Sequence, residues 1–265
     1  MSYEDIRYDK RDGVATITIN RPQVLNAFRG KTVEEMLEAM RDADYDAAVG
    51  VVVLAGAGDR AFSSGGDNSA RGAGQAGEGG YGGKGLVGMP IEELHSSIRD
   101  CRKPVIAKVQ GYAIGGGNVL ATVCDLTIAS EKAVFGQVGP RVGSVDPGWG
   151  TAYLARCVGE KRAREIWYLC RRYTAAEAFQ MGLVNKVVPH DRLDDEVAAW
   201  CREILALSPT AIAIAKRSFN ADSENIRSIG ALGFEALALY YQTDEAKEGT
   251  QAFLEKRPPD FRRRK

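Results

Sequence analysis

Residues 104 to 150, PVIAKVQGYAIGGGNVLATVCDLTIASEKAVFGQVGPRVGSVDPGWG, constrain the fold of this chain more than any other stretch. Pro104 to Val109 is a β-branched run that predicts a buried strand. Gly115-Gly116-Gly117 then interrupts the chain just before the helix-like run Asn118 to Cys124. Three glycines at such a point let the backbone approach a ligand, and the first turn of a helix offers unpaired N–H donors at the positive end of its dipole. The same device lies upstream, where the strand-like Val51 to Ala55 precedes Ala61-Phe62-Ser63-Ser64-Gly65-Gly66-Asp67. Two N–H donors on separate loops can hold an oxygen that turns negative during a reaction, and losing one such donor typically costs roughly 10²–10³ in rate. Either turn alone reads as a tight turn; the pair reads as an oxyanion site.

Around these turns the chain alternates strands and helices. Asp5 to Tyr8 and Val14 to Ile19 flank Arg11-Asp12-Gly13, a hairpin signal. Lys31 to Asp46 carries Val33, Met36, Leu37 and Met40 at helical spacing. The β-β-α order, repeated at Val105 to Val109 and Leu126 to Ala129, predicts an α/β layer structure with strands covered on both faces. Gly65 to Gly88 holds eleven of the 30 glycines and no periodicity, and reads as a mobile loop. Its Gly72-Ala73-Gly74-Gln75-Ala76-Gly77 matches GxGxxG literally but lacks the strand before it and the helix after it. Tyr81, the loop's one aromatic, is either a lid over substrate or idle.

Ile91 to Cys101 predicts an amphipathic helix whose His95 sits among Glu92, Glu93 and Arg99, the setting of a solvated surface histidine. His190 adjoins a helix start at Asp191. Neither histidine neighbours a nucleophile motif, so Ser-His-Asp and Cys-His catalysis find no support. Beyond Gly150 the chain turns helical: Glu160 to Arg171, a capping box Thr174-Ala175-Ala176-Glu177, a short strand Val184 to Val188, then helices Asp191 to Leu207, Pro209 to Phe219 and roughly Asn225 to Phe253. Apolar residues there (Trp200, Ile204, Ile212, Ile214, Leu232, Leu237, Leu239) divide between core and a subunit contact.

Composition excludes several classes. Lys+Arg and Asp+Glu are 35 each, so no overall field draws nucleic acid or an anionic membrane; only Phe261 to Lys265 is strongly basic. Five scattered cysteines without CxxC spacing argue against a disulfide framework or a zinc site and fit a reducing cytoplasm. The N-terminus has no apolar leader, and no run reaches the roughly 18 apolar residues of a membrane span. The expectation is a cytoplasmic enzyme with no metal, no nucleic-acid partner and no membrane partner.

Ser64-Gly65-Gly66-Asp67, Gly111-Tyr112-Ala113-Ile114-Gly115-Gly116-Gly117, Cys124-Asp125-Leu126-Thr127-Ile128 and Phe135-Gly136-Gln137 together resemble the motif set of the crotonase (enoyl-CoA hydratase/isomerase) superfamily, over nearly the whole chain. The resemblance implies a crotonase-like spiral of β-β-α units across residues 1–200. It also implies a helical trimerisation region across 201–265, a homotrimer or a hexamer built as a dimer of trimers, and an acyl-CoA substrate with no tightly bound cofactor beyond that coenzyme A. It makes the N–H groups of Gly66 and Gly116 an oxyanion hole for the thioester carbonyl. It lays CoA and substrate along Leu25 to Phe28, Ala61, Ser64, Gly65, Asp67, Tyr81, Tyr112, Gly115, Gln137, Val138 and Trp149, with Lys256 reaching a phosphate from a neighbouring subunit.

Hydratases of this superfamily carry one glutamate two residues after the glycine triplet and another two residues after Phe-Gly-Gln; this chain has Val119 and Gly139. Water addition across a double bond uses both carboxylates, so a hydratase is disfavoured. Ser144, Asp146 and Tyr241 instead resemble the branch of 2-ketocyclohexanecarboxyl-CoA hydrolase and 1,4-dihydroxy-2-naphthoyl-CoA synthase, and imply Asp146, held by Ser144, as the group that handles water, with Tyr241 as proton donor. Leu25, Asn118, Val138 and Pro147 depart from the synthase pattern. Asn118, Val138, Ser144 to Gly148, Ser208 to Ala211 and Ala215 to Asn220 match the ring hydrolase, which implies a role in alicyclic and aromatic acid degradation. Asn20 to Val24 and Trp149 lean to the synthase. Asp146 also reads as a helix N-cap, Tyr241 as a core or interface aromatic, and the chain as a non-catalytic acyl-CoA binder.

Overall fold

The computed structural model describes residues 3–73 and 80–262. The chain opens with the antiparallel hairpin β1 (Ile6–Arg11) and β2 (Val14–Ile19). Its turn residues Asp12 and Gly13 have φ of 51° and 79°, the left-handed pair that suits the twist of a two-residue hairpin. Helix α1 (Gly30–Tyr45) buries Val33, Met36, Leu37 and Met40 at the predicted spacing.

One unit is then repeated three times. The first is β3 (Val51–Gly56), β4 (Ala61–Ser63) and α2 (Asn68–Ala73); the second, after helix α3 (Ile91–Asp100), is β5 (Val105–Val109), β6 (Tyr112–Ile114) and α4 (Gly116–Val123); the third is β7 (Leu126–Ser130), β8 (Val134–Gly136) and α5 (Gly139–Val142). A π-helical turn, Trp149–Tyr153, leads into α6 (Leu154–Val158), α7 (Glu160–Leu169), β9 (Arg172–Thr174), α8 (Ala175–Gln180), β10 (Lys186–Val188), α9 (Leu193–Leu205), α10 (Pro209–Asp222), α11 (Asn225–Tyr240) and α12 (Asp244–Leu254).

The first strand of each unit enters a six-stranded sheet ordered β1-β2-β3-β5-β7-β10, and the second a four-stranded sheet ordered β4-β6-β8-β9. Successive units pair in parallel in both sheets, so the chain climbs as a spiral of β-β-α turns. Alternate residues of the long strands face different layers: Val52, Leu54, Val105 and Ala107 join the main core with α1, α3 and α4, while Val51, Val53, Ile106 and Ile128 pack against Leu193, Val197 and Cys201 of α9. Both faces are covered, as the unbroken apolar runs predict. No single described helix is long and apolar enough to cross a membrane.

Four expectations need correction. Residues 225 to 253 are not one helix: the chain breaks between α11 and α12, because the Thr243 hydroxyl accepts the N–H of Ala246 at 3.2 Å and Asp244 and Glu245 fill the new first turn. The glycine-rich stretch contains α2, started by Asp67, whose carboxylate accepts the N–H groups of Ser69 and Ala70; Gly74 to Gly79 lie outside the described residues. The strand near 184 is confined to β10. His95 is not on the surface. Its helical neighbours at i−4, i−1, i+3 and i+4 are Ile91, Leu94, Ile98 and Arg99, all buried, so it falls on the inward stripe. Its ring has no hydrogen-bond partner among the described residues, and burial pushes its pKa down to about 3. The predicted capping box at Thr174 forms, with Thr174 and Glu177 exchanging hydrogen bonds of 3.2 and 2.7 Å.

Of the C-terminal apolar residues, Leu237 enters the core and Trp200 and Ile204 pack beside α9's cluster, whereas Ile214, Leu232 and Leu239 are exposed. Buried Lys216 fastens α10: it donates to Asp125 at 2.6 Å and to the carbonyls of Ile98 and Lys103 at 3.0 Å each. Lys216→Ala is expected to cost about 3 kcal/mol, the low end for a broken buried pair because Asp125 keeps some contact with water. A urea transition whose midpoint stays within error of the wild type would contradict this.

Candidate active site

The two glycine turns meet. Phe28 clamps the first by its backbone: its N–H donates to the Gly65 carbonyl and its carbonyl accepts from Asp67, both at 2.9 Å. Gly65, at φ +91°, lies so close to the second turn that a Cβ there would stand 2.8 Å from the Gly116 nitrogen, and a Cβ on Gly116 would strike the Phe28 ring at 2.6 Å. Gly116 is the first residue of α4, at the positive end of its dipole. Neither the Gly66 nor the Gly116 N–H donates a hydrogen bond among the described residues, so both are free to hold one oxygen.

They open onto a cleft that is open to solvent. Of the residues singled out in the sequence, Ser64, Gly66, Tyr81, Gly115, Gly116, Gln137, Val138, Ser144, Asp146 and Tyr241 line it. Tyr81 is buried and covers Gly66, where a Cβ would meet its ring and hydroxyl at 2.7 Å. Burial drives the Tyr81 phenol pKa upward, and Arg71 opposes this.

The titratable and hydroxyl groups of the cleft are Ser144, Asp146, Tyr81 and Tyr241 together with Ser64. Ser144 and Tyr241 share a hydrogen bond of 2.7 Å. Asp146 is not held by Ser144; its carboxylate accepts the Gly150 N–H at 3.1 Å, because that N–H, in the first turn of the π-helical segment, has no carbonyl before it. Gly148, not Asp146, stands at the cap position; Asp146 reaches the first turn from two residues earlier through this bond, and it lines the cleft as well. Burial pushes its pKa up to about 7; the Gly150 N–H opposes the shift, and the charge of Glu92 on α3 reinforces it. Asp146 is the one carboxylate among the lining residues. Val119 is packed against Gly150, and a Cβ on Gly139 would meet the Ser144 carbonyl at 2.5 Å and the Trp167 ring at 2.8 Å. Among the described residues no group of three His, Cys, Asp or Glu side chains could hold a metal ion.

Seven singled-out residues do not reach the cleft. Gly65 supports it from behind. Leu25 accepts the Ser64 N–H through its carbonyl, and Ala61 does the same for Asn26 and Gln110. Asp67 caps α2 and pairs with Arg21 at 3.0 Å. Tyr112 lies under Arg172, and Lys256 is exposed beyond α12. Trp149 is a correction: the π-helical turn points it inward, where its indole packs edge-on to Tyr153 and beside Arg99. Sequence reading missed Phe234 and Leu237 as cleft walls, although they precede Tyr241 at helical spacing on one face of α11. It also missed Glu92 as the electrostatic neighbour of Asp146.

Residues 9–264 match the family model described as enoyl-CoA hydratase/isomerase. An enoyl-CoA hydratase from Mycobacterium avium subsp. paratuberculosis K-10 superposes with a TM-score of 0.87 at 31% identity, covering 99% of this chain and 100% of that one. A carnitinyl-CoA hydratase from Mycobacterium avium gives 0.84 at 29% identity, covering 99% and 100%. An enoyl-CoA hydratase/isomerase from Pseudoalteromonas atlantica T6c gives 0.85 at 25% identity, covering 97% and 99%.

The raised pKa of Asp146 has a stability consequence. Below about pH 4 the carboxyl is protonated in both folded and unfolded chains. Between about pH 4 and pH 7 it ionises only on unfolding, so stability from this group falls as pH rises and levels off above 7. Asp146→Asn is therefore expected to match the wild type near pH 4 and exceed it by up to about 4 kcal/mol at pH 8. Urea denaturation at the two pH values tests this, and an advantage that does not grow with pH would contradict it.

Proposed function

Because the chain belongs to the enoyl-CoA hydratase/isomerase family, whose members process acyl-CoA thioesters, we propose that it opens the ring of a cyclic β-keto acyl-CoA by hydrolysis, with 2-oxocyclohexane-1-carbonyl-CoA as the type substrate. The observation that carries this reading is the cleft's single carboxylate. The turn from Gly139 to Ser144 leaves no room for a side chain at 139, and Val119 is packed as an apolar residue, so both acids of a hydratase are replaced by Asp146 beside the Ser144–Tyr241 pair.

The thioester oxygen sits on the N–H groups of Gly66 and Gly116, and the ring ketone faces Asp146. Asp146, ionised above its pKa of about 7, takes a proton from water as the water oxygen bonds to the ketone carbon. The adduct collapses with breakage of the bond between that carbon and the α-carbon. Its electron pair moves onto the thioester as an enolate, whose negative oxygen the two amides stabilise. Tyr241 delivers a proton to the α-carbon and recovers one through Ser144 from solvent in the cleft, while Asp146 gives the proton it took from water back to solvent, so both groups return to their starting states. The balance is substrate plus one water, giving a straight-chain dicarboxylic acid as its mono-CoA thioester. Coenzyme A enters only as part of the substrate, with no tightly bound cofactor. The exposed Ile214, Leu232 and Leu239 support assembly as a trimer or a dimer of trimers.

A second reading, intramolecular Claisen condensation by the same groups, is favoured by Asn20-Arg21-Pro22-Gln23-Val24. The test is mass spectrometry after incubation with 2-oxocyclohexane-1-carbonyl-CoA. A gain of one water is expected, and Asp146→Asn should lower the rate by roughly 10²–10⁴ while remaining folded. An unchanged mass with cyclisation of o-succinylbenzoyl-CoA would favour the second reading; fast hydration of crotonyl-CoA would defeat both.

A further inference from the structure

Arg71 is a buried cation, and none of its hydrogen bonds among the described residues is to a carboxylate. Buried guanidinium groups are normally paired with acids. This one donates to the carbonyls of Val142 and Gly143 and to the hydroxyl of Thr250, while its Nε has no partner among the described residues. These acceptors are neutral, so among the described residues no carboxylate pairs with the guanidinium. Its central carbon lies 4.9 Å from the centroid of the Tyr241 ring, whose hydroxyl is bonded to Ser144. The Tyr81 ring, lying over Gly66, is 6.4 Å from the Tyr241 ring at 58°, and Arg71 acts on the Tyr81 phenol as well.

The attachments join three segments distant in sequence. Arg71 stands on α2, four residues after the Asp67 that ends the first amide turn. Val142 and Gly143 immediately precede Ser144 and Asp146. Thr250 lies on α12, which starts just beyond Tyr241. The half of the cleft that holds the thioester oxygen and the half that moves protons come from different parts of the spiral, and this side chain spans both.

We propose that Arg71 is the positioning residue that keeps the Gly66–Gly116 amides in register with the Ser144–Tyr241–Asp146 group, so that the thioester oxygen and the reacting carbon are engaged together. The proposal extends the ring-opening reading, and only its turnover arm depends on it. A misplacement of about 1 Å across such a site can cost about 10²-fold in rate.

The probe is acetoacetyl-CoA, a β-keto thioester with no ring to open, whose enolate absorbs in the near ultraviolet. Wild type, Arg71→Lys, Arg71→Met and Thr250→Val are compared for its Kd and enolate absorbance, for turnover of 2-oxocyclohexane-1-carbonyl-CoA, and for folding by circular dichroism. For Arg71→Met the expectation is a kcat lower by about 10²-fold, KM and Kd within about threefold of wild type, and loss of the enolate signal. Arg71→Lys should recover part of both. Thr250→Val, which keeps the charge and frees one anchor, should move the same way by less while staying folded. The proposal is overturned if kcat and enolate signal in Arg71→Met stay within about threefold of wild type. It is equally overturned if the variants lose binding in step with rate, since Arg71 would then be scaffolding. If wild type fails to open the ring yet forms the enolate, the functional reading falls and the enolate comparison still judges Arg71; no enolate in wild type removes both.

Discussion

The structure depends on two backbone segments touching where no side chain could intervene. Gly65 and Gly116 come from consecutive turns of the spiral, and the space between them is smaller than a methyl group. Phe28 fixes that approach twice, through its backbone to Gly65 and Asp67 and through its ring against Gly116. Among the described residues the N–H groups of Gly66 and Gly116 have no acceptor at that junction, and both line the cleft, where a ligand oxygen can supply one. Helix α4 adds its dipole in the same direction, and none of this titrates, so the electrostatic half of the site is the same at any working pH.

The other half is made of groups that do titrate, and its economy follows from sterics. In the turn from Gly139 to Ser144 a carbonyl fills the volume that a side chain at 139 would need. A chain with this turn therefore cannot carry an acid at 139. Asp146 is then the one carboxylate lining a cleft whose walls include Phe234 and Leu237, and its burial lifts its pKa toward neutrality. A carboxylate whose one hydrogen bond among the described residues comes from a backbone N–H, with the charge of Glu92 nearby, is poorly stabilised when ionised, which makes it a stronger base than an exposed aspartate.

How much was legible in the sequence follows the range of the interactions involved. The hairpin at Asp12-Gly13, the α1 stripe and the Thr174 box depend on residues within four positions of one another, and each was readable. The two glycine turns were readable as a pair because strand-turn-helix is a local pattern. The sheet order was not, since β2 lies beside β3 and β10 returns to β7 through contacts far apart in the chain. The same holds for the bond between Ser144 and Tyr241, 97 positions apart. His95 was misread because its sequence neighbours are charged, whereas its helical neighbours are apolar. The break at Thr243 did leave a signal, a cap residue followed by two acids, but the apolar run on either side masked it. Ala215 to Asn220, weighed as a mark of substrate class, turns out to contain the Lys216 and Asn220 anchors of α10, so part of that resemblance reflects packing rather than chemistry.

A division between a fixed amide pair and an adjustable proton-moving wall also explains how one scaffold can host different reactions. In the proposed reading the amides would recognise any thioester able to carry charge on its oxygen. What happens next depends on which groups face the α-carbon and its neighbour. Here they come from the turn at 139–150 and the joint between α11 and α12, segments that no strand of either sheet includes. Altering those segments leaves the spiral's hydrogen-bonded ladders intact, so the cost of changing the chemistry is confined to the cleft. The raised pKa of Asp146 is such a local cost: an acid whose burial opposes ionisation weakens the fold above the pH at which it ionises in the unfolded chain. Stability has to come from elsewhere, and the two strand layers covered on both faces, with α10 fastened to them by Lys216, are where this chain supplies it.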